Sequence, residues 1–131
     1  MELLQPPGWP PPKGYVNGIA ASGRMVFVSG MVGWNASGEF ESDALPAQIG
    51  QALKNAMTVL HEAGARPEHV VRMTWYLKSS EEYRAATREI GEAYRDVMGR
   101  HYPAMSVVEV AGLLEARARV EIEVTAVIPP P

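Results

Sequence analysis

The chain has no cysteine among its 131 residues. That absence excludes disulfide staples, a thiolate nucleophile and cysteine-ligated zinc, and it fits a reducing compartment such as the cytoplasm. Long apolar runs are missing too: no stretch approaches the roughly 20 residues that a membrane-spanning helix needs. The opening MELLQPPGWPPPKG has neither the basic start nor the continuous apolar core of a secretory leader. Charge of one sign is not in excess. A net charge of −3 supplies no general attraction for nucleic acid or an anionic membrane, so neither is expected as a partner. The Walker loop, GxGxxG, HExxH and GxSxG are all absent. Histidine is scarce, and His61, His69 and His101 have spacings that match no zinc motif. They read as surface or capping residues, and neither a metal nor a cofactor is expected.

What is present is an ordinary globular composition. With 47% hydrophobic and 21% charged residues, the chain can bury a real core in one domain. Residues 1–13 stand apart, because prolines at 6, 7, 10, 11 and 12 preset φ and remove backbone donors. They read as an extended arm over the same or a neighbouring subunit, in preference to a ligand for a polyproline-binding module. The domain follows at 14–128, with a tail at 129–131.

Within the domain, GRMVFVSGMVGW (23–34) reads as a strand bounded by glycines. YVNGIAAS (15–22) is expected to pair with it as a hairpin through Ser22 and Gly23, a weak turn signal. A helix is expected from Ser42 or Asp43 to about Ala63, since Ile49, Leu53, Ala56, Met57 and Leu60 recur at helical spacing. EHVVRMTWYLK (68–78) alternates, placing Val71, Met73, Trp75 and Leu77 on one side. Ser79 with Glu82 has the pattern of a capping box and opens a second helix through Met98. Strands near 104–110 and 117–127 complete the order ββαβαββ.

Two helices on one face of a mixed sheet give a two-layer α/β (α+β) domain. The final strand alternates Val120, Ile122 and Val124 with a polar row of Arg117, Arg119, Glu121 and Glu123. Trp75 and several valines lie on strands of the same sheet, so the open face is expected to be covered by oligomerisation.

Single positions identify no function. Arg84, Arg88 and Arg95 share a helix face, but Glu81 and Glu92 lie at pairing distances and are expected to neutralise them. Ser29 before Gly30 is common turn chemistry, and Glu121 by pattern faces solvent.

Together the segments carry more. GYVNGIAASGRMVFVSGMVG, QALKNAMTVLHEAGARPEHVVRMTWYL and YPAMSVVEVAGLLEARARVEIEVTAV stand in an order and spacing that resembles the Rid (YjgF/YER057c/UK114) family over about residues 14–128. The best-known members of that family hydrolyse reactive enamines and imines. The resemblance implies a chorismate-mutase-like fold assembled as a homotrimer around a central barrel, with small-molecule clefts between subunits. The family's N-terminal tyrosine corresponds to Tyr15, the serine of its SG turn to Ser29, and the glutamate of its last strand to Glu121. Glu121 would orient or deprotonate water, while Tyr15 and Ser29 position the ligand. The family cysteine is Val107 here, and its helical asparagine falls near Thr87 or Arg88, so neither is kept.

The largest departure is in YPAMS. Deaminating members carry an arginine there that clamps the substrate carboxylate through two parallel hydrogen bonds. Here it is Met105, followed by Ser106. Methionine fills gaps and contacts rings, and it cannot bind a carboxylate. Poor activity on 2-iminopropionate is the expected consequence. Arg119, two residues before Glu121, and Arg88 are candidate replacement cations, each with an ordinary ion-pair reading beside it. The alternative is a non-catalytic binding or regulatory protein whose cleft, lined by Tyr15, Met31, Trp34 and Met105, holds an apolar or aromatic molecule. Packing of Met105 at a subunit interface is a third reading. Ribonuclease activity ranks below these, for want of an acid/base pair, a basic groove or a metal site.

Overall fold

A computed structural model describes all residues, 1–131. Its frame is a four-stranded mixed sheet of β3 (Arg24–Val32), β6 (Val120–Ile128), β4 (Val70–Leu77) and β5 (Ala104–Glu109), in that spatial order. β6 runs antiparallel to both neighbours, while β4 and β5 are parallel, so the chain crosses over through helices between them. Those helices are α2 (Ser80–Ala85) and α3 (Thr87–Met98). With α1 (Leu45–Glu62) they cover one face.

The core lies between the layers. Ile49, Leu53 and Leu60 of α1 and Ile90 and Tyr94 of α3 meet Met73, Trp75, Ile122 and Val124 of the sheet. The alternation expected in the last strand holds, with Val120, Ile122, Val124 and Ala126 all buried. In β4 a register shift between Val70 and Arg72 against β6 turns Val70 inward and leaves Val71 half-buried. One extra residue at a bulge flips the side that follows from strict alternation.

The expected N-terminal hairpin does not form. Ile19–Ala20 (β2) pairs instead with Glu2–Leu3 (β1), and the Leu4 amide donates to Gly18 O at 2.9 Å. The arm supplies the partner instead, so β3 remains the sheet edge. The second expected helix is two helices, because Ala86 leaves helical geometry at φ −131°, ψ 26°. Ser79 Oγ caps α2 by accepting from the Glu82 amide at 3.1 Å. The Glu82 carboxylate does not return to close the box and pairs with Arg119 at 2.8 Å.

The polar row is likewise broken, because Arg117 and Arg119 precede β6 and turn to other partners. Arg117 binds Asp43 and the Phe40 carbonyl, and Arg119 binds Glu82. Trp75 does not face outward either; it is buried beneath the helices. The apolar groups on the open face include Met25, Phe27, the latter 70% exposed, and Val108 opposite Tyr76. Beside them Tyr76 donates its hydroxyl to Glu123 Oε1 at 2.8 Å.

Two exposed carboxyls titrate low. Glu109 accepts from the Ser80 backbone N–H at 2.7 Å and from its hydroxyl at 3.0 Å, and the Arg117 guanidinium holds Asp43. A depressed folded pKa contributes stability that is present above the unfolded value, near 4, and is lost as pH falls through the folded value. The melting temperature is therefore expected to fall as pH drops below about 4. Glu109→Gln should make that fall shallower in thermal melts taken across pH 5 to about 2.5.

Candidate functional site

The expected site residues fall into two separate groups. Tyr15 and Met105 share a cleft at the β5 edge with Lys13, Gly14, Tyr83 and Val107. Val16 puts Tyr15 there: it bridges in parallel to Ala104, and its amide donates to Pro103 O at 3.1 Å. Met105 pairs with Met73, so its side chain turns to the helix side and packs against the core. Ser106 pairs with Thr74 and faces the opposite way.

The second group sits on the open face at β3 and β6. A bulge at Ser29–Gly30 shifts register between Val28 and Met31, leaving Ser29 exposed. Glu121 lies directly against Gly30: a Cβ there would collide with Glu121 Oε2, so only glycine lets the carboxylate lie over the backbone. This places an acceptor carboxylate over the backbone one residue from Ser29, where it is free to orient water.

One chain does not unite the two groups. β5 is separated from β6 by β4, roughly 10 Å across the sheet at ordinary strand spacing. Met105 and Glu121 also lie on opposite faces of that sheet. A small ligand cannot touch both within one subunit.

The other expected residues lie elsewhere. Met31 turns inward, opposite Ile122, and packs against the core. Trp34 packs on Phe40, with ring centroids 5.9 Å apart, and Arg117 stands over the Phe40 ring at 5.6 Å. Arg88 is an exposed partner of Glu92 at 3.5 Å. Arg119 is held by Glu82, and its backbone N–H donates to buried Gln48. Both candidate replacement cations are therefore engaged as ion pairs. No three His, Asp or Glu side chains converge, and no helix is long and apolar enough to cross a membrane. His69 Nδ1 accepts from the Arg66 amide, and His101 Nε2 bonds Val70 O.

Residue-by-residue reading passed over one feature. Next to the Tyr15 cleft, and sharing Gly14, Tyr83 and Met105 with it, is a cavity of about 280 Å³ roofed by α3. Trp75, Tyr94, Tyr102 and Arg95 line it. Arg95 was expected to pair with Glu92, but Glu92 is taken by Arg88, and Arg95 forms no ion pair. Spacing alone does not say which of two arginines a shared glutamate takes.

Comparison with known proteins places the chain in a family. The family model described as endoribonuclease L-PSP matches residues 9–128. The chain belongs to the Rid family. The Rid protein YyfB of Yersinia pestis, of unknown function, superposes with a TM-score of 0.83 at 32% identity, covering 97% of this chain and 98% of its own. Escherichia coli TdcF, solved with bound serine, superposes with a TM-score of 0.69 at 27% identity, covering 98% and 99%. The human 2-iminobutanoate/2-iminopropanoate deaminase is 30% identical over 105 residues, 79% of this chain and 73% of that protein. The mixed α+β architecture is thus the Rid fold.

Proposed function

We propose that this Rid protein works as a homotrimer whose ligand cleft is completed between subunits, and that it hydrolyses an imine or enamine lacking a carboxylate at the family position. The observation that carries the reading is the division of the site. Tyr15 and Met105 stand at one edge, and Ser29 and Glu121 stand on the far strands and the opposite face. Docking the β5 edge of one subunit on the open β3–β6 face of the next brings the halves together and covers Met25 and Phe27.

In that cleft Glu121 takes a proton from water as it adds to the imine carbon. The carbinolamine then collapses to a carbonyl compound and ammonia, with the proton returned to the leaving nitrogen. Ser29 and Tyr15 hold the nitrogen and the water in line. The apolar Met105 suits a substrate that presents carbon where other members receive a carboxylate.

The test uses an imine released in situ from a neutral primary amine by an amine oxidase, with ammonia followed over time. The wild-type trimer is expected to accelerate ammonia release, and Glu121→Gln to lower that acceleration by about a hundredfold while remaining trimeric by light scattering. A monomer in solution, or full activity in Glu121→Gln, overturns the reading.

The aromatic cavity beside Met105 favours a second reading, a protein that binds a small molecule without chemistry. Tight binding with no acceleration of any imine would establish it. RNA cleavage that follows the purified trimer through chromatography would displace both.

A further inference from the structure

The cavity under α3 and the Tyr15 cleft share Gly14, Tyr83 and Met105, so the two spaces adjoin at Met105. The cavity walls are mostly ring carbon. Tyr94 stacks on Tyr102 with centroids 5.3 Å apart, and Trp75 lies 6.2 Å from Tyr94 and 6.5 Å from Tyr83. Buried Ile90 adds a further apolar surface. The Tyr94 hydroxyl already donates to the His101 carbonyl, and Trp75 Nε1 has no accessible surface, so these two residues offer a guest their rings alone. The polar liners Thr87 and Arg95 are exposed and so stand at the mouth. Burial raises the pKa of the Tyr83 and Tyr94 phenols, as expected of a lining poorly supplied with water.

Met105 is the junction between the two spaces. Its thioether contacts rings favourably and lets an apolar chain lie along it with no charge to desolvate. An apolar cavity of about 150 Å³ already accepts a benzene ring. The space here is about 280 Å³, which leaves room for a ring and for the short chain leading to it. Aromatic rings prefer neighbours at centroid separations of about 4.5–7 Å, the spacing found within this wall, so a flat ring extends the cluster.

We infer that the substrate of the hydrolytic site is an arylalkyl imine, with its ring among Trp75, Tyr94 and Tyr102, its saturated chain along Met105 and its C=N bond in the Tyr15 cleft. This names the substrate class for the hydrolysis proposed above and rests on that reading. Water adds across the C=N bond, the C–N bond then breaks, and an arylalkyl aldehyde leaves with ammonia. No oxidant or reductant is consumed.

The test releases imines in situ from 2-phenylethylamine, hexylamine and propylamine with a flavin amine oxidase, and follows ammonia with and without the purified full chain. The phenyl imine is expected to be accelerated about tenfold or more beyond the propyl imine, and beyond the hexyl imine as well. Thr87→Phe fills the exposed mouth and should lower the phenyl-to-propyl ratio of kcat/KM about tenfold. Tyr102→Leu, which removes a ring from the wall, should lower it too. Binding is read apart from chemistry by titrating the chain, labelled with ¹³C at its methionine methyls, with 2-phenylethanol. Met105→Leu assigns the Met105 signal, which is expected to shift. Equal acceleration of the three imines overturns the inference and leaves the hydrolytic reading standing, as does a Met105 signal that 2-phenylethanol does not move. No acceleration of any imine overturns both.

Discussion

Met105→Arg is expected to raise kcat/KM for 2-iminopropionate by about a hundredfold or more. Each charge-assisted hydrogen bond to a carboxylate contributes roughly 1.5–3 kcal/mol, so a two-pronged clamp is worth at least about 3 kcal/mol of transition-state binding. The position is suited to deliver it. Met105 opens on the cleft that holds Tyr15, and its side chain is only partly packed, so the longer arginine has an exit. In the proposed intersubunit cleft the other half needs no rebuilding, because Glu121 lies over Gly30, the residue after Ser29. Met105→Leu serves as the control, since it keeps the volume and adds no charge; it should gain nothing. A folded, trimeric Met105→Arg with no gain would count against Tyr15, Ser29 and Glu121 as a competent catalytic set.

The largest expected loss of stability comes from a residue that carries no chemistry. Gln48 is the one buried polar side chain with a full set of partners at the joint between α1, the 42–44 turn and the start of β6. Its Nε2 donates to Ser42 O at 2.9 Å and to Arg117 O at 3.1 Å, and its Oε1 accepts from the Arg119 amide at 2.8 Å. Gln48→Leu keeps the approximate volume and strands all three backbone groups. Each unpaired buried group costs about 1–3 kcal/mol, though the two carbonyls belong to exposed segments that can turn to water. The net loss is expected to be about 3 kcal/mol, which lowers the melting temperature by about 10 °C. Gln48→Glu should cost at least as much at neutral pH, because it buries a carboxylate with one oxygen facing the Ser42 and Arg117 carbonyls. Equal melting temperatures for wild type and Gln48→Leu would show that these bonds are replaced by water at no cost.

Much of the architecture was legible because single segments carried it. The alternation of β6 and the helical stripe of α1 needed no tertiary knowledge, and both hold. The misreadings share a physical cause: pattern is local, and partners are not. Tyr83, Ala86 and Ile90 keep a helical spacing straight across the break at Ala86, so periodicity gives no warning of it. Val70 replaces Val71 in the core through a bulge that only the pairing with β6 reveals. Ile19–Ala20 reads as part of a hairpin because β3 follows it, whereas its partner lies at the N-terminus. The placement of the candidate site residues was not legible. Resemblance named Tyr15, Ser29, Glu121 and Met105, but nothing in their spacing says that Met105 and Glu121 face opposite sides of one sheet. Arg95 was hidden for the same reason, since only the fold shows that Glu92 takes Arg88.

Met105 is the decisive residue of the proposed function, and one rate tests it. Generate 2-aminoacrylate enzymatically, so that it tautomerises to 2-iminopropionate. Then compare its disappearance with the purified wild-type protein, with an arginine-bearing Rid deaminase, and with no addition. The loss of the carboxylate clamp predicts a wild-type rate close to the uncatalysed one. A rate matching the arginine-bearing enzyme would contradict it, and would mean that Met105 does not withhold the activity.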